Sequence, residues 1–163
     1  MFNIVLVSPQ IPPNTGNIGR LCVNLGARLH LIGPLGFDIG EKALRRAGLD
    51  YWQRLDLSVW GSLEEFSLRH PVGEGCHLAT TKTDRPYWEA DFRVGDYLFF
   101  GSETKGLPES ILRRHPERCV TIPMVSDGRS LNLSVAVGIV AYEALRQNYD
   151  GHLDLFEKNK DSL

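Results

Sequence analysis

The sequence predicts an α/β domain with a mainly parallel sheet flanked by helices, and three observations carry that prediction. Short apolar runs such as Phe2–Val7 and Asp96–Phe100 lack polar alternation, as strands buried on both faces require. Between such runs lie segments with apolar residues at helical spacing, for example Ile18, Leu21, Cys22 and Leu25. The connections are short, so strands alternate with helices and the sheet is expected to be parallel.

Composition sets the bounds. At 163 residues the chain is expected to form one domain, residues 1–163, large enough to bury a core. A hydrophobic content of 42% and a charged content of 23% are ordinary for a soluble globular protein. The net charge of −2 gives no global attraction to nucleic acid, so an RNA or DNA site must come from a local basic patch. Cys22, Cys76 and Cys119 are odd in number and lack CxxC spacing, which argues against disulfide staples and a zinc knuckle. The N-terminus has no basic leader region and its apolar run is short, so a cytoplasmic protein without a membrane anchor is expected.

In order, Phe2–Val7 reads as the first strand, stopped by Ser8 and Pro9. Ile11, Pro12 and Pro13 read as a stiff loop, and Asn14 or Thr15 can cap a helix running to about Leu25. Gly26 ends that helix, Arg28–Ile32 is a second strand, and Gly33–Gly36 is a turn. A short helix is expected over Glu41–Ala47 and a strand over Leu55–Trp60. Ser62 and Glu65 have capping-box spacing and open a helix to about His70. Cys76–Thr80 and Asp96–Phe100 are strands separated by a polar loop, Thr81–Glu89. Pro108 suits the first turn of a helix through Arg114, Cys119–Ile122 is the last strand, and the tail from Asp150 is polar and expected to fray.

The stretch Ile122–Glu143 changes character at Asn132. Before it runs a polar loop bent at Asp127 and Gly128; after it runs a helix to about Asn148, with Asn132 as N-cap. That helix is apolar almost all round and too short to span a membrane, so a second subunit is expected to cover part of it.

Familiar enzyme signatures are missing. Gly16 and Gly19 lack dinucleotide-fingerprint spacing, no Walker A sequence occurs, and the five histidines show no metal-ligand spacing. Three other segments carry chemistry: Asn14–Arg20 (NTGNIGR), Phe100–Pro108 (FGSETKGLP), and Ile122–Met124 continuing through Arg129–Ser134 (RSLNLS) to Tyr142 and Glu143. In this order they resemble the three motifs of the SPOUT class of RNA methyltransferases, most of all the branch that 2′-O-methylates the wobble nucleotide of tRNA. The likeness runs from Phe2 to about Tyr149.

The resemblance implies an α/β fold with a C-terminal trefoil knot, S-adenosylmethionine bound in the knotted loops, no metal, and a homodimer through the first and last helices. It implies a cofactor pocket of Leu78, Ala79, Thr80, Gly101, Ile122, Met124, Ser130 and Leu131. It places Asn14, Arg20, Glu103, Ser130 and Asn132 around the transferring methyl and the ribose. The reaction implied is in-line displacement by a ribose 2′-hydroxyl, in which positioning can supply roughly 7–11 kcal/mol. Arg20 is then an activator of that hydroxyl or, since a guanidinium stays charged, a binder of phosphate and developing alkoxide.

The RNA itself, an anticodon stem-loop, requires local positive charge, for which Arg45, Arg46, Lys105, Arg113, Arg114 and Arg129 are available. The paired arginines also fit plain solvated helix faces. Trp52, Tyr87 and Trp88 can stack an unpaired base. Three rival functions stand beside this one: methylation of another RNA such as ribosomal RNA, a non-catalytic RNA-binding or assembly factor, and a flavodoxin-like or receiver-type signalling module, which the non-acidic loop Ser8-Pro9-Gln10 disfavours. The first strand is expected to follow Met1 directly, without an RNA-binding extension, and that expectation disfavours the ribosomal reading.

Overall fold

Strand β1 (Asn3–Val7) is sandwiched between two apolar layers. Ile4 and Leu6 point into one core cluster, Val5 and Val7 into the other, as a two-residue period requires. The computed structural model describes residues 1–38, 49–125, 128 and 130–149. The helix expected over Glu41–Ala47 with Arg45 and Arg46, the bend residue Asp127, Arg129 and the tail from Asp150 lie outside the described residues.

Around β1 the sheet is parallel throughout. With β2 (Arg28–Ile32), β3 (Leu57–Trp60), β4 (Cys76–Ala79), β5 (Tyr97–Phe100) and β6 (Cys119–Val120), the order is β3-β2-β1-β5-β4-β6. The chain builds outward from β1 to β3, then crosses to the other half and inserts β5 between β1 and β4. The reversal makes the carboxyl ends of β1, β5 and β4 the place where a ligand crevice opens.

Two helices cover one face. Helix α1 (Pro12–Leu25) and the last helix, α5 (Leu133–Gln147), share a cluster with Ile18, Cys22, Val137, Val140 and Ala141. Helices α3 (Leu63–Arg69) and α4 (Glu109–Arg114) cover the other face through Phe66, Ile111 and Leu112. A short helix, α2 (Leu49–Trp52), not expected from the sequence, lies against α1, with Trp52 packed close to Gly19. All three cysteines are buried in these layers, and burial pushes the Cys22 thiol up to about 12.

Several boundaries differ from expectation. Helix α1 starts at Pro12, because the first helical positions need no N–H donor and tolerate both prolines; Asn14 and Thr15 lie buried within it rather than capping it. Pro108 is the N-cap of α4 rather than part of its first turn. Strand β6 ends at Val120, where Thr121 turns to the segment before Tyr87, pairing with Pro86 and donating to Arg85 at 2.8 Å. The capping box of α3 forms as expected: Ser62 Oγ accepts from Glu65 N–H at 3.2 Å, and the Glu65 carboxylate accepts from Gly61 N–H at 2.7 Å. Gly26 closes α1 with φ of 59°, a left-handed conformation that glycine adopts without a Cβ clash.

Helix α5 is covered on only part of its circumference. Val137, Val140, Ala141 and Ala144 are buried, whereas Val135 and Tyr142 are each 50% exposed on one stripe. Gly138 lies between them on that stripe, and a Cβ there would meet nothing within 4 Å.

Candidate active site

The site is assembled from the loop after β1 and the loops after β4, β5 and β6. Ser8 leaves β1 with φ of 52° and donates its N–H to the Ile32 carbonyl at 2.8 Å. The next loop is braced by the turn after β2: Gly36 N–H donates to the Pro9 carbonyl at 3.0 Å, and a Cβ on Gly36 would lie 2.8 Å from the Gln10 Cα. Glycine is the residue that permits this approach.

The loop is then clamped by Glu103. Its carboxylate accepts from Gln10 N–H at 2.8 Å, from Ile11 N–H at 3.1 Å and from Asn14 Nδ2 at 3.0 Å. Helix α1 has no acidic side chain in its first turn and no side-chain cap of its own. Glu103 supplies the missing negative charge at the positive end of the helix. Thr104 adds a hydroxyl donated to Gln10 Oε1 at 2.8 Å.

Asn14 passes the connection on. Its Oδ1 accepts from Asn132 Nδ2 at 2.9 Å, while Asn132 Oδ1 accepts from Ser134 N–H at 2.9 Å and from Val135 N–H at 3.4 Å. Asn132 is thus the expected N-cap of α5 and a partner of α1 at once. Three of the five residues expected around the reaction (Asn14, Glu103 and Asn132) form one hydrogen-bonded chain.

Beside this chain lies a cleft of about 250 Å³, near the lower end of the roughly 300–1,000 Å³ span of small-molecule sites. Ala79 and Thr80 from the β4 loop, Gly101 and Glu103 from the β5 loop, and Ile122, Met124, Ser130 and Leu131 from the β6 loop line it. Gly101 and Gly106 expose backbone there. A Cβ on Gly101 would fall 1.8 Å from the Gly106 carbonyl carbon, so only glycine lets this loop close on itself. Ser102 stitches the closure: its carbonyl accepts from Gly106 N–H at 2.9 Å and its Oγ from Lys105 N–H at 3.2 Å.

Two expected residues lie elsewhere. Leu78 is fully buried beneath the sheet with Phe66 and Phe99, because a residue one position before Ala79 on β4 points to the opposite face; it does not line the cleft. Arg20 is exposed on α1, its guanidinium 5.2 Å from the centroid of the Tyr51 ring, and it is not among the lining residues of this chain's cleft. Lys105 does line the cleft.

Lys82, Leu133 and Ala136 line it too, although none of them was among the residues expected in the cofactor pocket. Lys82 pairs with Glu109 at 2.6 Å and, with Arg113, holds that carboxyl below its ordinary range. A lysine two residues past Thr80 on the same loop was the available signal for Lys82. No signal existed for Gln10 and Thr104, whose partners are 93 and 94 residues away. Among the described residues no group of three or more His, Cys, Asp or Glu could hold a metal ion, and no helix is long and apolar enough to cross a membrane.

The cleft fits a nucleoside-bearing cofactor in chemical terms. Ile122, Met124, Leu131 and Leu133 offer apolar walls, Gly101 and Gly106 bare backbone, and Thr80 and Ser130 hydroxyls.

Comparison with known proteins agrees with this geometry. The chain is 50% identical over 148 residues to the tRNA (cytidine(34)-2'-O)-methyltransferase of Escherichia coli (strain K12), covering 90% of this chain and 94% of that one. It is 48% identical to the enzyme of the same name from Burkholderia cenocepacia (strain HI2424), covering 90% and 96%. A solved structure described as giving structural insights into the 2-OH methylation of C/U34 on tRNA matches with a TM-score of 0.86 and 46% identity, over 92% of this chain and 97% of that one. The SpoU methyltransferase AviRb from Streptomyces viridochromogenes, in complex with the cofactor AdoMet, matches at a TM-score of 0.74 and 26% identity, over 90% and 57%. The knotted α/β fold expected from the three motifs is the fold class of these neighbours and of this chain. Residues 1–142 match the SpoU rRNA Methylase family, and with Asn14, Glu103 and Asn132 joined beside the glycine-floored cleft, the chain belongs to that family.

Proposed function

We propose that this chain is an S-adenosylmethionine-dependent tRNA 2′-O-methyltransferase acting on the wobble nucleotide, position 34, of the anticodon loop. The observation that carries the reading is the Glu103–Asn14–Asn132 chain, which locks the three motif segments together beside one cleft. The names of relatives 48% and 50% identical over nine-tenths of the chain support the substrate assignment.

S-adenosylmethionine supplies an electrophilic methyl group on a sulfonium centre. Ala79, Thr80, Gly101, Ile122, Met124, Ser130 and Leu131 would hold it through apolar walls and backbone groups. Asn14 and Asn132 fix the relative position of α1 and α5, so that the ribose and the cofactor meet in line. Arg20 binds the phosphate beside the reacting hydroxyl and stabilises the negative charge that develops on the 2′-oxygen as the hydroxyl proton passes to solvent water.

A homodimer through α1 and α5 completes this arrangement. The half-exposed stripe of Val135, Gly138 and Tyr142 is the face that a second copy would bury. Since Arg20 is absent from its own chain's cleft lining, we assign it to the cleft of the second copy. Lys105 at the cleft rim, with Arg45, Arg46 and Arg129, would form the phosphate-binding patch, and the enzyme would work in the cytoplasm, where tRNA is modified.

The deciding experiment incubates the protein with labelled S-adenosylmethionine and bulk tRNA from a strain lacking this gene, followed by mapping of the methylated ribose. Label at the 2′-oxygen of nucleotide 34 is expected. Label confined to ribosomal RNA, or absent from all RNA, would overturn the reading.

A further inference from the structure

We propose that Trp88 is a stacking platform for an unpaired nucleobase next to the methylated nucleotide, an inference that rests on the RNA-methylating reading above. Trp88 is 53% exposed, in the 3₁₀ turn Tyr87–Glu89. A single exposed apolar side chain is ordinary on any protein surface. The way this one is held is not.

The backbone on either side of Trp88 is fixed at several points. Pro86 forms a parallel bridge with Thr121, Thr121 N–H donates to the Arg85 carbonyl at 2.8 Å, and Tyr87 N–H donates to the Thr121 carbonyl at 2.8 Å. The Arg85 guanidinium donates to the carbonyls of Glu117 at 2.8 Å and Glu89 at 3.0 Å, closing the turn around the tryptophan. Tyr87 packs partly buried against the core and meets the Trp88 ring edge to face, with centroids 5.2 Å apart. The platform is therefore pre-positioned, and a base stacking on it would find most of the ordering already done.

Its location matters as much. Thr121 precedes Ile122, a wall of the cleft. The Trp88 and Ile122 backbones are thus separated by roughly 16 Å or less, from three Cα steps of ~3.8 Å and a strand spacing of ~4.8 Å across the Pro86–Thr121 bridge. That span suits a nucleotide neighbouring the one in the cleft. The other two tryptophans are committed: Trp52 packs close to Gly19, and Trp60 packs with Phe66 and donates its Nε1–H to His30. Single-stranded loops are read largely by stacking on such rings, with little dependence on base identity.

The test compares wild type, Trp88→Ala and Trp88→Phe on an anticodon stem-loop oligoribonucleotide. Trp88→Ala is expected to raise KM for the RNA about 5- to 150-fold, the span of losing one stacked base, with kcat little changed. Trp88→Phe should recover most of that loss. Cofactor affinity and subunit assembly should be unaltered in both. Tryptophan emission of the wild type should be quenched by the stem-loop, and this quenching should vanish in Trp88→Phe. An unchanged KM with unchanged quenching would overturn the proposal, as would a parallel loss of assembly or cofactor affinity, which marks a structural role. Quenching is read without turnover, which separates the two readings. A wild type that is inactive yet quenched through Trp88 would sink the methylation reading and uphold the platform.

Discussion

Asn132 donates its side-chain amide to the Asn14 side-chain carbonyl at 2.9 Å, although 118 residues separate them. The same Asn132 caps α5 through its Oδ1, and the same Asn14 donates to Glu103. One side chain therefore performs two separable jobs, capping a helix and joining two helices beside the cleft.

Asn132→Asp separates them. Aspartate caps as well as asparagine, so α5 should hold and the melting temperature should move by only about 2 °C. The donor to Asn14 is lost, however, and an oxygen is set against an oxygen. Methyl transfer should fall at least about tenfold, the cost of about 1.4 kcal/mol of misplacement. Asn132→Ala should lose the same activity and, in addition, about 1 kcal/mol of stability. Thermal melts and single-turnover rates on the two variants check this; an Asp variant with full activity would remove the joining role.

Glu103 sits where a general base could stand, but its oxygens are already occupied. Two backbone N–H groups and the Asn14 amide converge on them. In Glu103→Gln one oxygen becomes an NH₂ facing a donor, so the clamp opens. Stability should drop by about 1–2 kcal/mol and cofactor affinity should fall with it. A proton acceptor would behave differently, losing kcat while melting temperature and cofactor binding stayed put. Denaturation and calorimetric titration of the variant distinguish the two.

Arg20→Ala should abolish transfer and leave cofactor binding intact, since the guanidinium is not among the cleft's lining residues. Mixing locates it. If Arg20 serves the second copy, dimers re-formed from Arg20→Ala and Asn132→Asp subunits contain one intact site: the cleft of the first with the arginine of the second. Random re-association should then restore about a quarter of wild-type activity. If Arg20 acted within its own chain, no mixture would recover.

Which parts of this were legible in the sequence follows from the range of the forces involved. The apolar runs gave β1, β2, β4 and β5 to within a residue, and local capping chemistry gave Ser62 and Asn132, because burial and caps are written in neighbouring residues. The cleft walls came from the motif likeness. Pro12 and Pro13 read as loop because the group that caps α1 is Glu103, some 90 positions downstream. The Leu78 side chain faces away from the cleft while Ala79 lines it, an alternation of strand faces that a motif stretch does not display. The absence of Arg20 from the cleft lining was not legible at all, since a linear motif does not say which of its residues face one cavity.

Away from the cleft, His30 predicts how stability depends on pH. It is 1% exposed, and Trp60 Nε1–H donates to its Nδ1 at 3.2 Å. The indole nitrogen is only a donor, so Nδ1 must stay unprotonated; a proton there would face the indole N–H. Burial, then the nearby His70 and Arg28, lower the His30 pKa from 6.5 to about 4. Between those values the unfolded chain holds a proton that the folded chain refuses, so stability rises with pH across that window. Above about pH 6.5 both states are neutral and the effect is absent. As pH falls from 7.5 to 5 the term should cost about 2 kcal/mol, and about 3 kcal/mol near pH 4, below which it levels off. His30→Gln keeps an acceptor for Trp60 but cannot titrate, so its urea-unfolding free energy should lose that much less over the same interval. Equal acid sensitivity in wild type and variant would show that other groups carry it.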